Sequence, residues 1–237
     1  MKIYIFFLIL FFQQINCDLL TINSQNKKAI EYVGINHSET GRAQLDILLN
    51  EGLKQNDYVL EIGCGALVAA IPIISFLYKK HYCGIEPNKW LIDSSLEIDQ
   101  NKRIYDEKKP IFLHNLNFDA SETNINFDYI LAHSIMSHAA HWQLPLFLKN
   151  CSRVLKNGGK LIFSIRLTQP NEFGNPGSNE ESKSDVWVYP SNTFFAKETI
   201  IKEAQKYFRT IRYEKSYTRL ITASDKSAFH DWFVLIK

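Results

Sequence analysis

Short apolar runs alternate along this chain with longer stretches whose apolar residues recur at helical spacing. Tyr58–Ile62 is such a run, and it breaks at Gly63 and Gly65, so it reads as a strand feeding a tight turn. Ala66–Tyr78 is apolar enough for a helix between layers, with Pro72 expected to kink it. Tyr82–Ile85 reads as a second strand. Asn88 is placed to cap a helix running to about Tyr105. Pro110–Leu113 and Phe127–Ala132 are the next two strands. Leu144–Leu155 is helical, with Asn157-Gly158-Gly159 as its stop, and Lys160–Leu167 is a fifth strand. Thr168–Asp185 is a polar Asn/Gly/Pro/Ser segment, read as a long loop. A helix over Ala196–Phe208 and strands over Thr210–Glu214 and Asp231–Ile236 complete the pattern. Glu39–Lys54 is expected to form a covering helix capped near Ser38. Alternation at these lengths predicts an α/β fold, a mostly parallel sheet with helices on both faces.

Composition narrows this picture without redirecting it. With 46% hydrophobic and 22% charged residues in 237, the chain is an ordinary globular one, so wholesale disorder and coiled coil are excluded. The 27 basic and 25 acidic residues are scattered, giving net +2 and no basic face, so no nucleic-acid partner is expected. Four cysteines without a CxxC pair form neither a disulfide framework nor a zinc knuckle, and no metal site is expected. Lys2, the apolar run Ile3–Phe12 and polar Gln13-Gln14 have the layout of a secretory signal ending at Cys17. That run is too short to span a bilayer. The expected organisation is a signal at 1–17, a covering segment at 18–56 and one α/β domain at 57–237. Export follows if the signal is real, and a cytoplasmic location if it is a buried strand or a mis-set start.

The chemistry concentrates at strand ends. In Val59-Leu60-Glu61-Ile62-Gly63-Cys64-Gly65, glycines just past a strand let a ligand lie against bare backbone. A dinucleotide fold wants a third glycine where Val68 stands, and Glu61 would repel a phosphate, so a ligand with a cationic group fits better. The next strand ends Gly84-Ile85-Glu86-Pro87-Asn88. A carboxylate at that tip can accept both hydroxyls of a ribose, each bond worth roughly 1.5–3 kcal/mol. Cys64 and Cys83 read as small apolar residues.

These two segments, together with Phe127-Asp128-Tyr129-Ile130-Leu131-Ala132 and Val154-Leu155-Lys156-Asn157-Gly158-Gly159-Lys160, resemble the class I S-adenosylmethionine-dependent methyltransferases in order and spacing over about residues 55–167. The resemblance implies a Rossmann-like, seven-stranded, mostly parallel sheet ending in an antiparallel hairpin, with S-adenosyl-L-methionine as cofactor. It implies that Gly63, Cys64 and Gly65 lie against the methionine part and that Glu61 orients the loop and the ammonium group. Glu86, with Pro87 and Asn88, would hold the ribose, Asn117 or Asp119 would meet the adenine edge, and the Ala132 carbonyl would face the ammonium. The family's usual third glycine is Leu67 here, which is expected to narrow the site.

Methyl transfer from a sulfonium needs mostly alignment and at most one base. His133, His138 and His141 follow the fourth strand, where the resemblance places the acceptor. His133 or His138 is the candidate base, and histidines that only hold neighbouring backbone are the alternative. His138 and His141 could share a helix face. Ala132-His133-Ser134-Ile135 stands where adenine-amino or glutamine methylating members carry Asn-Pro-Pro-Tyr or Asp-Pro-Pro-Tyr, so the resemblance points to neither. Trp90, Trp142, Trp187 and Tyr189 either line an acceptor pocket or pack the rim. The expected activity is methylation of a small-molecule or peptide acceptor. The competitors are a binding module without catalysis and a nicotinamide-dependent reductase. Neither the acceptor nor the oligomeric state can be read from the sequence.

Overall fold

The computed structural model describes residues 28–29, 37–168, 192–224 and 230–237. Helix α1 (His37–Asn50) precedes β1 (Val59–Ile62), α2 (Ala70–Phe76), β2 (Tyr82–Ile85), α3 (Lys89–Leu96), α4 (Asp99–Lys108) and β3 (Ile111–Leu113). There follow β4 (Phe127–Ala132), α5 (Gln143–Val154), β5 (Leu155–Leu167), β6 (Phe194–Phe195), α6 (Lys197–Ala204), β7 (Thr210–Tyr213), α7 (Lys215–Ser224) and β8 (Asp231–Ile236). The sheet order is β3-β2-β1-β4-β5-β8-β7, with two-residue β6 beside β5. β1 to β5 pair in parallel, while β8 is antiparallel to both β5 and β7. This is the expected Rossmann-like, mostly parallel sheet.

Every residue of β1 and β2 is buried, as a strand covered on both faces requires. Side-chain alternation divides the core. Leu60 and Ile62 point with Ile130, Phe163 and Phe233 toward Phe147 of α5 and Ile200 of α6. Val59 points with Leu131, Ile162 and Trp232 toward Leu45 of α1, Ile73 of α2 and Tyr217 of α7. The chain leaves β1 toward β2 on one side, and β4 adds on the other. The strand order therefore reverses at β1, and a crevice opens above the ends of β1 and β4.

Several expected elements differ in detail. Pro72 does not kink a long helix. It sits in the first turn of α2, where a missing N–H goes unnoticed, and residues 66–69 form the preceding turn. The helix read from Asn88 to Tyr105 is two helices, because Ile98 is extended at φ −80°, ψ 119° and caps α4. Asn157-Gly158-Gly159 is not a helix stop. α5 passes directly into β5, whose Leu155 is already extended, and the glycines lie within the strand beside a register shift against β4. A Cβ on Gly159 would stand 3.0 Å from the Asp128 carbonyl oxygen, so this bend excludes larger residues. The last two long strands are joined through α7 rather than by a short turn. Ser38 lies inside α1. The expected signal at 1–17, most of the polar loop, Trp187 and Tyr189 lie outside the described residues. Among the described residues no helix is long and apolar enough to cross a membrane.

Candidate active site

The turn after β1 is drawn onto β2: the N–H groups of Gly63 and Cys64 both donate to the Ile85 carbonyl, at 2.8 and 3.2 Å. Gly63 has φ +74°, and a Cβ there would fall 1.9 Å from Cδ1 of Ile135, so glycine alone fits. Leu67 also takes a left-handed backbone, at φ +61°, which is the conformation a glycine would adopt without strain. Its side chain is 1% exposed and packs in the α1/α2 core, away from the crevice. The expectation that Leu67 narrows the site is therefore corrected: Leu67 walls neither chamber of the crevice. Cys64 is buried, and burial pushes its thiol well above the ordinary range, which makes it unreactive.

Two carboxylates flank this turn. Glu86 holds the glycine loop to the start of α3, one oxygen accepting from the Gly65 N–H at 3.1 Å and the other from the Asn88 N–H at 2.8 Å. Burial raises its pKa against the pull of those two bonds. Glu61 is 4% exposed and accepts a 2.5 Å hydrogen bond from the Tyr82 hydroxyl. Burial, with the charge of Glu86 adding and Tyr82 opposing, pushes it up to about 7.

The crevice has two joined chambers. The first, about 130 Å³, is walled by Glu61, Cys64, Gly65, Gln44, Val68 and His133. The second, about 350 Å³, is walled by Ile85, Pro87, Asn115, Leu116, Phe118 and Gln143. Gly63, Glu86, Asn88, Ser134, Ile135 and His138 border both. Most residues singled out from the sequence thus meet around one space.

Three do not. Ala132 is fully buried at the end of β4 and does not wall either chamber. Asn117 walls neither chamber: its side chain is exposed, and its backbone carbonyl accepts from the Asn150 side chain at 2.7 Å. Asp119 is pinned by Arg153 at 2.5 Å and by the Ser121 N–H, and the Arg153 bond leads in drawing its pKa down to about 2. Phe118 causes the shift: at φ +60° it buries its ring edge-on against Phe147, at 5.5 Å, and turns the loop over. Asn115 closes that loop through Asp119 backbone, so Asn115 and Leu116 face the second chamber instead. His141 also leaves the site, its ring 4.6 Å from Phe195. His138 ends a separate 3-10 turn, Met136–His138, so the two share no helix face.

Some site residues carry no sequence signal. His230, just before β8, places Nε2 3.3 Å from the hydroxyls of both Ser134 and Ser137. His133 stacks on Trp232 at 5.3 Å and meets His230 edge-on at 5.3 Å. Burial, reinforced by His133, Arg166 and His138, pushes His230 down to about 2, so it stays neutral. Gln44 of α1 and Tyr82 at the start of β2 are likewise visible only in the fold. Among the described residues no three His, Cys, Asp or Glu could hold a metal ion.

Comparison with known proteins agrees with this geometry. Residues 60–161 match a family model described as a methyltransferase domain. An uncharacterized protein of Rickettsia prowazekii (strain Madrid E) is 28% identical over 141 residues, covering 59% of this chain and 24% of the relative. The chain thus spans about a quarter of the length of the curated relative it matches. Among solved structures, magnesium protoporphyrin IX methyltransferase of Synechocystis PCC 6803 with bound S-adenosylhomocysteine is 12% identical, with TM-score 0.57 over 83% of each chain. A TehB-like S-adenosylmethionine-dependent methyltransferase of Corynebacterium glutamicum is 14% identical, with TM-score 0.55 over 90% of this chain and 95% of that one. Phosphoethanolamine N-methyltransferase 2 of Haemonchus contortus is 17% identical, with TM-score 0.58 over 92% and 59%. At these identities the structural likeness is one of fold. The resemblance to class I S-adenosylmethionine-dependent methyltransferases is borne out at the level of domain and fold.

Proposed function

We propose that the crevice binds S-adenosyl-L-methionine and that the chain transfers its methyl group to a small-molecule or peptide acceptor. The observation that carries this reading is the placing of Glu61 and Glu86 on either side of the Gly63–Gly65 backbone, at the point where the strand order reverses. The residues fit the cofactor. Gly63 brings bare backbone to the border of both chambers, with Ile135 packed where a side chain would otherwise stand. Glu86 retains lone pairs for a ribose diol beyond its two backbone bonds. Glu61 is a buried carboxyl whose ionised form an ammonium group would favour. Pro87, Asn115 and Leu116 offer the second chamber to a base.

When bound, the cofactor supplies an activated methyl: an acceptor lone pair forms the new bond to carbon as the carbon–sulfur bond breaks and its electron pair stays on sulfur. The protein's own part is alignment and proton removal. His138 borders both chambers and His133 walls the first, so either stands where a proton leaving the acceptor would be taken up.

The binding-only alternative has two grounds, Leu67 and an export signal that would take the chain away from the cytosol; the Leu67 side chain lies in the core, which removes the first. A nicotinamide reading is disfavoured because Glu61, a carboxylate, walls the chamber a pyrophosphate would need. The test is transfer of a radiolabelled methyl from S-adenosyl-L-methionine to whole-cell extract. Labelled product above a heat-killed control supports the proposal, and binding of S-adenosylhomocysteine without any transfer overturns the catalytic part.

A further inference from the structure

We infer that Gln44 of α1 receives the carboxylate of the cofactor's amino-acid tail, and so selects sulfonium nucleosides that carry a complete amino acid. The inference rests on the proposed binding of S-adenosyl-L-methionine in the same crevice.

Gln44 is 3% exposed and walls the first chamber, yet its amide makes no hydrogen bond among the described residues. A buried amide without a partner is costly, and a ligand group that pairs with it removes that cost. Its helical neighbours Leu45 and Leu48 are fully buried in the apolar core, so packing explains their burial and leaves that of Gln44 unexplained. Gly41 lies one helical turn earlier on the same face of α1. Because it has no side chain, the helix closes on the Val68 carbonyl, where a Cβ would not fit. Val68 and Gln44 both wall the chamber, so this close approach sets the amide at the glycine turn.

Electrostatics assigns the partner. An amino-acid tail carries an ammonium and a carboxylate. Glu61 and Glu86 wall the same chamber, and as anions they suit the first group and repel the second. The bare turn does not answer the carboxylate either. The N–H groups of Gly63 and Cys64 already donate to the Ile85 carbonyl, and that of Gly65 donates to Glu86. The Gln44 amide brings two N–H donors, and no partner among the described residues holds its oxygen, so the NH2 end can turn toward the chamber. A lysine or arginine at this position would pair with Glu61 or Glu86 and take the place of the ligand's ammonium. A neutral amide donates to the carboxylate and leaves both glutamates for the ligand. A nucleoside whose tail has lost its carboxylate leaves this amide unpaired and binds more weakly.

Calorimetric titration with two ligands tests this: S-adenosylhomocysteine, and its decarboxylated form, which keeps the amine, the sulfur and the nucleoside. Wild type should bind the first more tightly by roughly tenfold or more. Gln44→Leu should lower S-adenosylhomocysteine affinity by about that factor and leave the decarboxylated ligand within about twofold. Gln44→Glu sets a like charge against the carboxylate. It should weaken S-adenosylhomocysteine further and hold the decarboxylated ligand at least as tightly as wild type does. Unchanged S-adenosylhomocysteine affinity in Gln44→Leu overturns the inference. Equal loss for both ligands in both variants also overturns it, because a purely structural role does not distinguish the two tails. Wild type that binds neither ligand overturns the proposed function and this inference together, whereas wild type that binds both equally overturns this inference alone.

Discussion

At the scale of single residues, Glu61 carries an unusual electrostatic load. It is a carboxyl buried on β1, near a second carboxyl, with one tyrosine hydroxyl as partner. Its pKa is raised from 4.5 to about 7, so the folded protein binds a proton there more tightly than the unfolded chain does. The stabilising contribution is fully present below pH 4.5 and is lost as pH rises through about 7. A shift of that size corresponds to about 3 kcal/mol. Glu61→Gln should therefore melt higher than wild type at pH 8, with the gap closing toward pH 4.5. Thermal unfolding of both proteins across that range checks it, and parallel curves would show that Glu61 is ionised in the free protein. The bare turn beside it was legible in the sequence because its two glycines stand in register with Glu86 at the next strand end; glycines alone would fit any turn. His230 was not, since one histidine before a strand reveals nothing of the serines it meets across the sheet.

At the scale of elements, the approach of α1 to the glycine turn is set by Gly41. A Cβ at that position would stand 2.2 Å from the Val68 carbonyl oxygen, a backbone atom that cannot swing aside. Val68 and Gln44 both wall the first chamber, so α1 and the turn close it together. Helix propensity alone says that Gly41→Ala should stabilise the protein by up to about 1 kcal/mol. The packing says the reverse: α1 must move off, lowering stability by roughly 1–3 kcal/mol and weakening S-adenosylhomocysteine binding. Denaturant unfolding distinguishes the two, because the signs are opposite. The same competition explains which elements the pattern predicted well. Strands β1, β2 and β4 are apolar throughout and could be read directly. The break at Ile98 and the late start of α2, with Pro72 in its first turn, depend on what each helix packs against. In the loop after β3, burial of Phe118 against Phe147 decides which residues wall the second chamber, Asn115 and Leu116 rather than Asn117 and Asp119.

At the scale of the whole molecule, Glu51 anchors the covering helix to the sheet. Its side chain is 6% exposed and takes hydrogen bonds from Lys160 at 2.9 Å, from Arg212 and from Tyr217, joining α1 to β5, β7 and α7. Those bonds outweigh burial and lower its pKa, so this contribution is present above the ordinary carboxylate range and is lost in acid. The first 17 residues lie outside the described residues. Their charged, apolar and polar order supports export as a proposal, and the mass of the mature protein tests it: a chain beginning at Asp18 agrees, and one retaining Met1 does not.

The central claim is that Glu86 grips a ribose while bare backbone lies along an amino-acid tail. Calorimetric titration with S-adenosylhomocysteine of wild-type protein and of Glu86→Ala tests it most directly. The account predicts micromolar affinity for the first and a loss of about tenfold to a hundredfold for the second, equivalent to about 1.4–2.7 kcal/mol. Equal affinity in the two proteins, or none in wild type, would contradict it.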